Sequence, residues 1–249
     1  MMKAWKKNIR QVIPYVPGEQ PKETDVIKLN TNENPYPPSP KVKEMCSRIE
    51  NLRLYPDPAA TRLVDAIAGY KGIDRSQVFV GVGSDDVLAL SFLTFFNSDK
   101  PILFPDITYS FYDVWADLFR IPYETRALDD AFQIRREDYY GENGGVIFPN
   151  PNAPTGILMP LDGIRDILEH NQDVVVIVDE AYIDFGGETA QSLLDTYENL
   201  LIVQTFSKSR SLAGLRIGYA MGSPELIRAL HDVKYSFNSY TMNQPSILL

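Results

Sequence analysis

The apolar residues of this chain fall in short unbroken runs: Val78–Val80, Ile102–Phe104, Val146–Phe148, Val174–Val178 and Leu200–Val203. None of these alternates apolar with polar positions, so each predicts a strand buried on both faces; a further strand is predicted over 121–125. Between the runs the apolar period lengthens to that of a helix. Helices are predicted near 59–70, with Leu63, Ile67 and Tyr70 on one face and Gly72 as the stop, and from about Asp85 to Phe96 with Ser84 as N-cap. Two more are predicted from about Ser110 to Phe119, with Val114, Trp115 and Leu118 inward, and near 161–170 through Leu161, Ile164, Ile167 and Leu168. Strand and helix in alternation predict an α/β fold, a mostly parallel sheet with helices on both faces.

Residues 1–40 break this pattern. They hold seven of the 18 prolines, which exclude a regular helix or central strand. With Trp5, Ile9, Val12, Ile13 and Tyr15 among them, the segment reads as an extended arm that packs on something else rather than as a disordered tail.

Composition changes the picture mainly by exclusion. The chain is 44% hydrophobic and 23% charged, as globular proteins are, and its net charge of −9 offers no basic footprint for nucleic acid. Any anion must therefore be bound locally. One cysteine, Cys46, excludes an internal disulfide, and two histidines, His170 and His231, give no zinc spacing, so no metal is expected. The N-terminus lacks an apolar signal core and no later stretch is long and apolar enough to span a bilayer, so the expectation is a soluble cytoplasmic protein without a membrane partner.

The predicted strands end in unusual chemistry, at the carboxyl edge where open α/β sheets place ligands. Val78–Val80 runs into Gly81-Val82-Gly83-Ser84-Asp85, which is either a capped turn that needs no ligand or a helix start whose N–H groups hold a phosphate. Beyond Ile102–Phe104 stands Tyr109, a core aromatic or a platform for a flat ligand. Val174–Val178 ends in Asp179, with Tyr182 three residues on. An acid there is costly unless it meets a cation or a set of donors; the other reading is a loop acid or a cap. Leu200–Val203 empties into Thr205-Phe206-Ser207-Lys208, with Arg216 beyond. Lys208 is either a solvated loop lysine or a Schiff-base lysine whose free amine attacks a carbonyl. Together these ends suit a planar ligand with an aldehyde, a ring cation and a phosphate, which is pyridoxal phosphate.

Several motifs, in this order, resemble the fold type I pyridoxal-phosphate aminotransferases, and within them the histidinol-phosphate aminotransferase family. They are Leu29-Asn30-Thr31-Asn32-Glu33-Asn34-Pro35, Tyr55-Pro56-Asp57, Gly83-Ser84-Asp85, Asn150 to Gly156, Asp179 to Phe185, and Thr205 to Lys208 continuing through Leu212 to Tyr219. The resemblance implies a large domain over 46–249 that binds pyridoxal phosphate, and an arm with part of a small domain over 1–45. It implies Lys208 as Schiff-base lysine and proton-moving base, Asp179 on the pyridinium nitrogen, Tyr182 on the ring's phenolic oxygen and Tyr109 on the ring face. The phosphate would take the N–H groups of Ser84 and Asp85, the hydroxyls of Thr205 and Ser207, and Arg216. Tyr55 would reach the neighbouring subunit's site, which implies a homodimer, and Tyr15 would approach the substrate.

Two departures qualify these expectations. Ala153 stands where the family's ring-contacting asparagine precedes Pro-Thr-Gly, which leaves Asn152 as the candidate for that contact. The chain also stops at Ser246-Ile247-Leu248-Leu249 within an apolar helical pattern. The expectation is a truncated chain with a nearly complete cofactor site, an incomplete small domain, and no arginine for the substrate carboxylate. The resemblance implies transamination of histidinol phosphate with 2-oxoglutarate in histidine biosynthesis, the partners being a small amino donor and a 2-oxo acid. The alternatives are an aromatic amino-acid aminotransferase, a phospho-amino-acid decarboxylase, and a catalytically silent binding or regulatory module.

Overall fold

The computed structural model describes residues 4–19, 25–46, 49–50 and 52–248. Its centre is one sheet of seven strands: β1 (Val78–Gly81), β2 (Ile102–Pro105), β3 (Tyr123–Arg126), β4 (Val146–Pro149), β5 (Val176–Asp179), β6 (Leu200–Thr205) and β7 (Gly218–Gly222). They lie in the order β1-β7-β6-β5-β4-β2-β3. Every pair is parallel except those of β7, which runs antiparallel to both β1 and β6.

The unbroken apolar runs form the middle of the sheet because side chains alternate between two covered faces. Val176, Val178, Leu200 and Ile202 face one way, against α2 (Thr61–Lys71) and α5 (Leu161–Glu169). Ile177, Leu201 and Val203 face the other way, against α3 (Ser84–Phe95), α4 (Tyr112–Phe119) and α6 (Pro224–Phe237). No helix among the described residues is long and apolar enough to cross a membrane.

Several boundaries differ from the sequence reading. Ser84 is the first residue of α3 rather than its cap; Gly83 takes the cap position, without a side-chain bond, at φ 84°. The buried face of α4 is Tyr112, Trp115 and Ala116, whereas Val114 and Leu118 are half-buried. That face is set by the Phe92 and Phe104 rings already in the core. Tyr70 is exposed, although Leu63 and Ile67 of the same helix are buried and Gly72 ends it in the left-handed region. Val174 and Val175 belong to the turn that precedes β5.

Strand β7 carries a weak signal because Gly218 and Gly222 bound it. Its first glycine has a steric reason: a Cβ at Gly218 would collide with the Gly83 carbonyl group and the Ser84 nitrogen. The end of β6–β7 and the start of α3 can approach only if that position has no side chain. We expect Gly218→Ala to destabilise the chain by about 1–3 kcal/mol, as overpacking does. A urea midpoint equal to that of the parent would contradict this close approach.

Candidate active site

The carboxyl ends of the parallel strands open into a cleft of ≈ 120 Å³, lined by Ser84, Asp85, Tyr109, Asp179, Tyr182, Thr205, Ser207, Lys208 and Arg216 together with Pro149, Ala153 and Ala181. Nine residues singled out from sequence thus meet in one place, although they are spread from 84 to 216. Strand register brings them there, since Asp179 lies level with Pro149 on one side and Val203 on the other.

At one end of the cleft the start of α3 presents its free N–H groups beside Arg216, whose guanidinium donates to Asp85 (Nη2 to Oδ2, 3.2 Å). A Cβ at Gly83 would fill the space of that guanidinium. Arg216 itself sits at φ 52°, a left-handed conformation unusual for a residue with a side chain. Thr205 and Ser207 join their hydroxyls across 3.0 Å at the same end. Helix N-terminus, arginine and paired hydroxyls make a cup for an anion such as a phosphate monoester.

Asp179 defines the other end. It is 4% exposed; its Oδ2 accepts from the Tyr112 hydroxyl (2.9 Å) and its Oδ1 from the Ala181 N–H (3.2 Å). Burial pushes its carboxyl up to about 6, against the lowering effect of those two donors. An acid so placed is a ready partner for a ring cation. Tyr109, whose hydroxyl donates to Asp85 Oδ1 (2.8 Å), stands between the two ends; burial foremost, then Asp85, raises its phenol well above the usual range. Lys208 is half-buried, its Nζ 5.5 Å from the Tyr182 ring centroid and donating to the Thr31 carbonyl at 2.8 Å.

The N-terminal arm therefore reaches the site. Besides Thr31, Asn32 donates to the Tyr182 hydroxyl (2.9 Å) and Asn34 to the carbonyls of Lys208 and Ser209 (3.2 Å each). Tyr15 stacks on Phe111 with centroids 4.2 Å apart, beside Tyr109 rather than within the cleft lining.

Besides Tyr15, two sequence candidates are not brought to the cleft. Asn152 is buried elsewhere: its amide donates to the Ile107 carbonyl (3.0 Å) and the Thr155 hydroxyl (3.2 Å), and its oxygen accepts from Thr108 (3.1 Å). These bonds tie two loops together, and Ala153 takes the cleft position. Tyr55 is 83% exposed and packs on Tyr240. Sequence reasoning in turn missed Tyr112 and Glu180. Tyr112 opens α4 three residues after Tyr109, and this nearness to a residue already singled out was the available signal. Glu180 follows Asp179 directly and so points through the opposite face, where it accepts from Thr189 (2.6 Å), Ala190 N–H (2.7 Å) and Gln204 (2.6 Å). No group of three or more metal-ligating side chains occurs among the described residues.

Asp179 makes the unliganded protein pH-sensitive. Its folded pKa of about 6 exceeds the ordinary 3.8, so ionisation is harder folded than unfolded, and stability present below 3.8 is lost as pH rises through 6. The interval corresponds to about 3 kcal/mol. We expect Asp179→Asn, without ligand, to unfold at higher urea than the parent at pH 8, with the gap closing near pH 4. A gap independent of pH would show that burial of this charge is not the cause.

The chain is 58% identical over 250 residues to a histidinol-phosphate aminotransferase of Pseudomonas putida, covering all of this chain and 72% of the relative. It is 58% identical over 247 residues to a protein named histidinol-phosphate aminotransferase 1 of Methylococcus capsulatus, covering 98% of this chain and 69% of the relative. Among solved structures, the histidinol-phosphate aminotransferase of Sinorhizobium meliloti in complex with pyridoxal-5'-phosphate superposes with a TM-score of 0.80 at 23% identity, over 88% of this chain and 61% of that one. That of Clostridium acetobutylicum gives 0.78 at 25% identity, over 87% and 66%. Residues 24–248 match the family described as aminotransferase class I and II. With the cleft, the fold and the match in agreement, this chain belongs to the class I and II aminotransferases.

Proposed function

We propose that the protein exchanges an amino group between histidinol phosphate and 2-oxoglutarate, as a cytoplasmic enzyme of histidine biosynthesis that uses pyridoxal phosphate. The observation that carries this reading is the meeting of an amine (Lys208), a buried acid (Asp179) and an anion cup (Ser84, Arg216) in one cleft. The names of relatives 58% identical to the chain support the choice of substrate.

The residues present fit that cofactor: the missing Cβ at Gly83 lets the Arg216 guanidinium lie against the start of α3, where it can meet an anion, and the buried carboxylate of Asp179 bonds to the Tyr112 hydroxyl and the Ala181 N–H but to no cation among the described residues. Pyridoxal phosphate, when bound, supplies an aldehyde and an electron-withdrawing ring. Arg216, the hydroxyls of Thr205 and Ser207, and the N–H groups of Ser84 and Asp85 would hold the phosphate. Asp179 would keep a proton on the ring nitrogen, Tyr182 would donate to the ring's phenolic oxygen, and Tyr109 would cover the ring face. Lys208 Nζ would attach the cofactor and, once displaced from it, carry a proton to and from the substrate α-carbon. The Thr31 carbonyl and Asn32 would hold the arm beside these groups.

We infer further that residues 1–45 form the arm and part of a smaller domain, that 46–249 belong to the cofactor-binding domain, and that the active form is a homodimer. Tyr55, exposed and turned from its own chain's cleft, would complete the partner subunit's phosphate site. Tyr15 would face substrate.

The test is direct. Incubation with pyridoxal phosphate should give visible absorbance that borohydride fixes covalently at Lys208, and histidinol phosphate should discharge that absorbance while phenylalanine does so at least tenfold more slowly. Lys208→Ala should show neither trapping nor discharge. Trapping at another lysine would overturn the site, and equal discharge by phenylalanine would overturn the substrate. For the dimer, mixing Lys208→Ala with Tyr55→Phe chains should restore part of the discharge lost in each variant, through hybrids with one unaltered site; no restoration, or a monomer in sedimentation, would remove that inference.

A further inference from the structure

Asp179 carries the deepest charge in the cleft, and the source of its ionised form is the question the site leaves open. The charged and titratable groups around it are Asp85 from α3, Tyr109 and Tyr112 from the segment that opens α4, and Tyr182, Lys208 and Arg216 in the cleft, with Glu180 next in the chain but on the opposite face. Asp85 and Glu180 oppose its ionisation. Two donors bond directly to the carboxylate, the Ala181 N–H and the Tyr112 hydroxyl. The first is backbone and cannot be tuned; the second is a side chain that nothing else employs.

Tyr112 is fully buried. Its ring packs edge-on against Phe104 (centroids 5.8 Å) and Tyr109 (5.8 Å) and lies 6.2 Å from Phe92 and 6.3 Å from Trp115. Those contacts fix the ring, so the hydroxyl meets Asp179 Oδ2 at 2.9 Å without a flexible stem. Tyr109 and Tyr112, three residues apart, each donate to a carboxylate: Tyr109 to Asp85 at 2.8 Å and Tyr112 to Asp179. One short segment thus ties the start of α3 to the end of β5.

We propose that Tyr112 is a positioning residue: its hydroxyl holds the Asp179 carboxylate ionised and turned into the cleft, and it serves the ring nitrogen of the cofactor through Asp179 without touching the cofactor itself. This rests on the pyridoxal-phosphate reading for its functional consequence, but the tyrosine–aspartate pairing is testable without it. A hydrogen bond to a buried charge is among the stronger ones, and losing it corresponds to about a tenfold change in equilibrium. The sign follows: without the hydroxyl, Asp179 protonates at higher pH.

Two measurements decide the matter. In the cofactor-free protein, the Asp179 carboxyl carbon is followed by NMR against pH in the parent, in Tyr112→Phe and in a chain with 3-fluorotyrosine at 112, a stronger donor of the same shape. The titration should move up by about one pH unit in Tyr112→Phe and down in the fluorinated chain. Pyridoxal-phosphate affinity, followed by absorbance from pH 5 to 9, should fall about tenfold in Tyr112→Phe near pH 7, with its acidic limb displaced upward by the same interval. A merely structural role for the tyrosine would lower affinity equally at all pH values. An unmoved carboxyl titration overturns the proposal. If the parent fails to bind pyridoxal phosphate while the carboxyl titration moves as stated, the function reading fails and the pairing stands.

Discussion

A carboxylate at the end of a fully buried strand is the constraint to which the neighbouring structure answers. Asp179 sits where β4 and β5 finish level with one another, beside Val203 of β6, and no solvent shell is there to carry its charge. Burial of such a group is tolerated only where donors or a cation are arranged around it. The aromatic side of α4, the turn into Ala181 and the opening toward Lys208 and Arg216 are that arrangement. A protein selected for stability alone would place an apolar residue at this position, so the cost kept here marks the position as functional in the physical sense.

The second constraint is the anion cup, and it is steric before it is electrostatic. Gly83 and Gly218 let the start of α3, the β6–β7 connection and the Arg216 guanidinium occupy a volume that any side chain would close. Arg216 accepts a left-handed backbone in exchange for this location. Between cup and acid stands Tyr109, and over the opening the arm contributes Thr31, Asn32 and Asn34. The described residues of the arm are mostly exposed, Ile13, Ile27 and Leu29 among them, and yet Thr31, Asn32 and Asn34 make specific bonds at the cleft. Its order there comes from the site it covers.

Much of this was legible in the sequence because its signals are local. Unbroken Val and Ile runs gave the inner strands, and the polar residues at or within five positions of two run ends gave Asp179, Thr205 and Lys208 with their location at the carboxyl edge. What escaped reading depended on partners far away in the chain. β7 is glycine-bounded because of Gly83, more than a hundred residues earlier, and its strand character shows only in pairing with β1 and β6. The buried face of α4 follows the Phe92 and Phe104 rings rather than the strongest apolar positions of its own segment. Asn152 was placed in the site by its nearness to Ala153, but a single step along an irregular loop turned its amide toward Ile107 and Thr155.

The pair Asp179–Glu180 carries one more consequence. Neighbouring residues of an extended chain emerge on opposite sides of a sheet, and here the two acids occupy unlike surroundings: Asp179 meets Tyr112, whereas Glu180 is enclosed by Thr189, Ala190 and Gln204, with Gln204 in turn bonded to Tyr219. Two acids with similar chemistry thus divide their work by parity alone. Gain or loss of a single residue within β5 would exchange their places, sending Glu180 toward the aromatic side and Asp179 into a pocket shaped for a longer side chain. The number of residues along β5 therefore sets the surroundings of both acids at once.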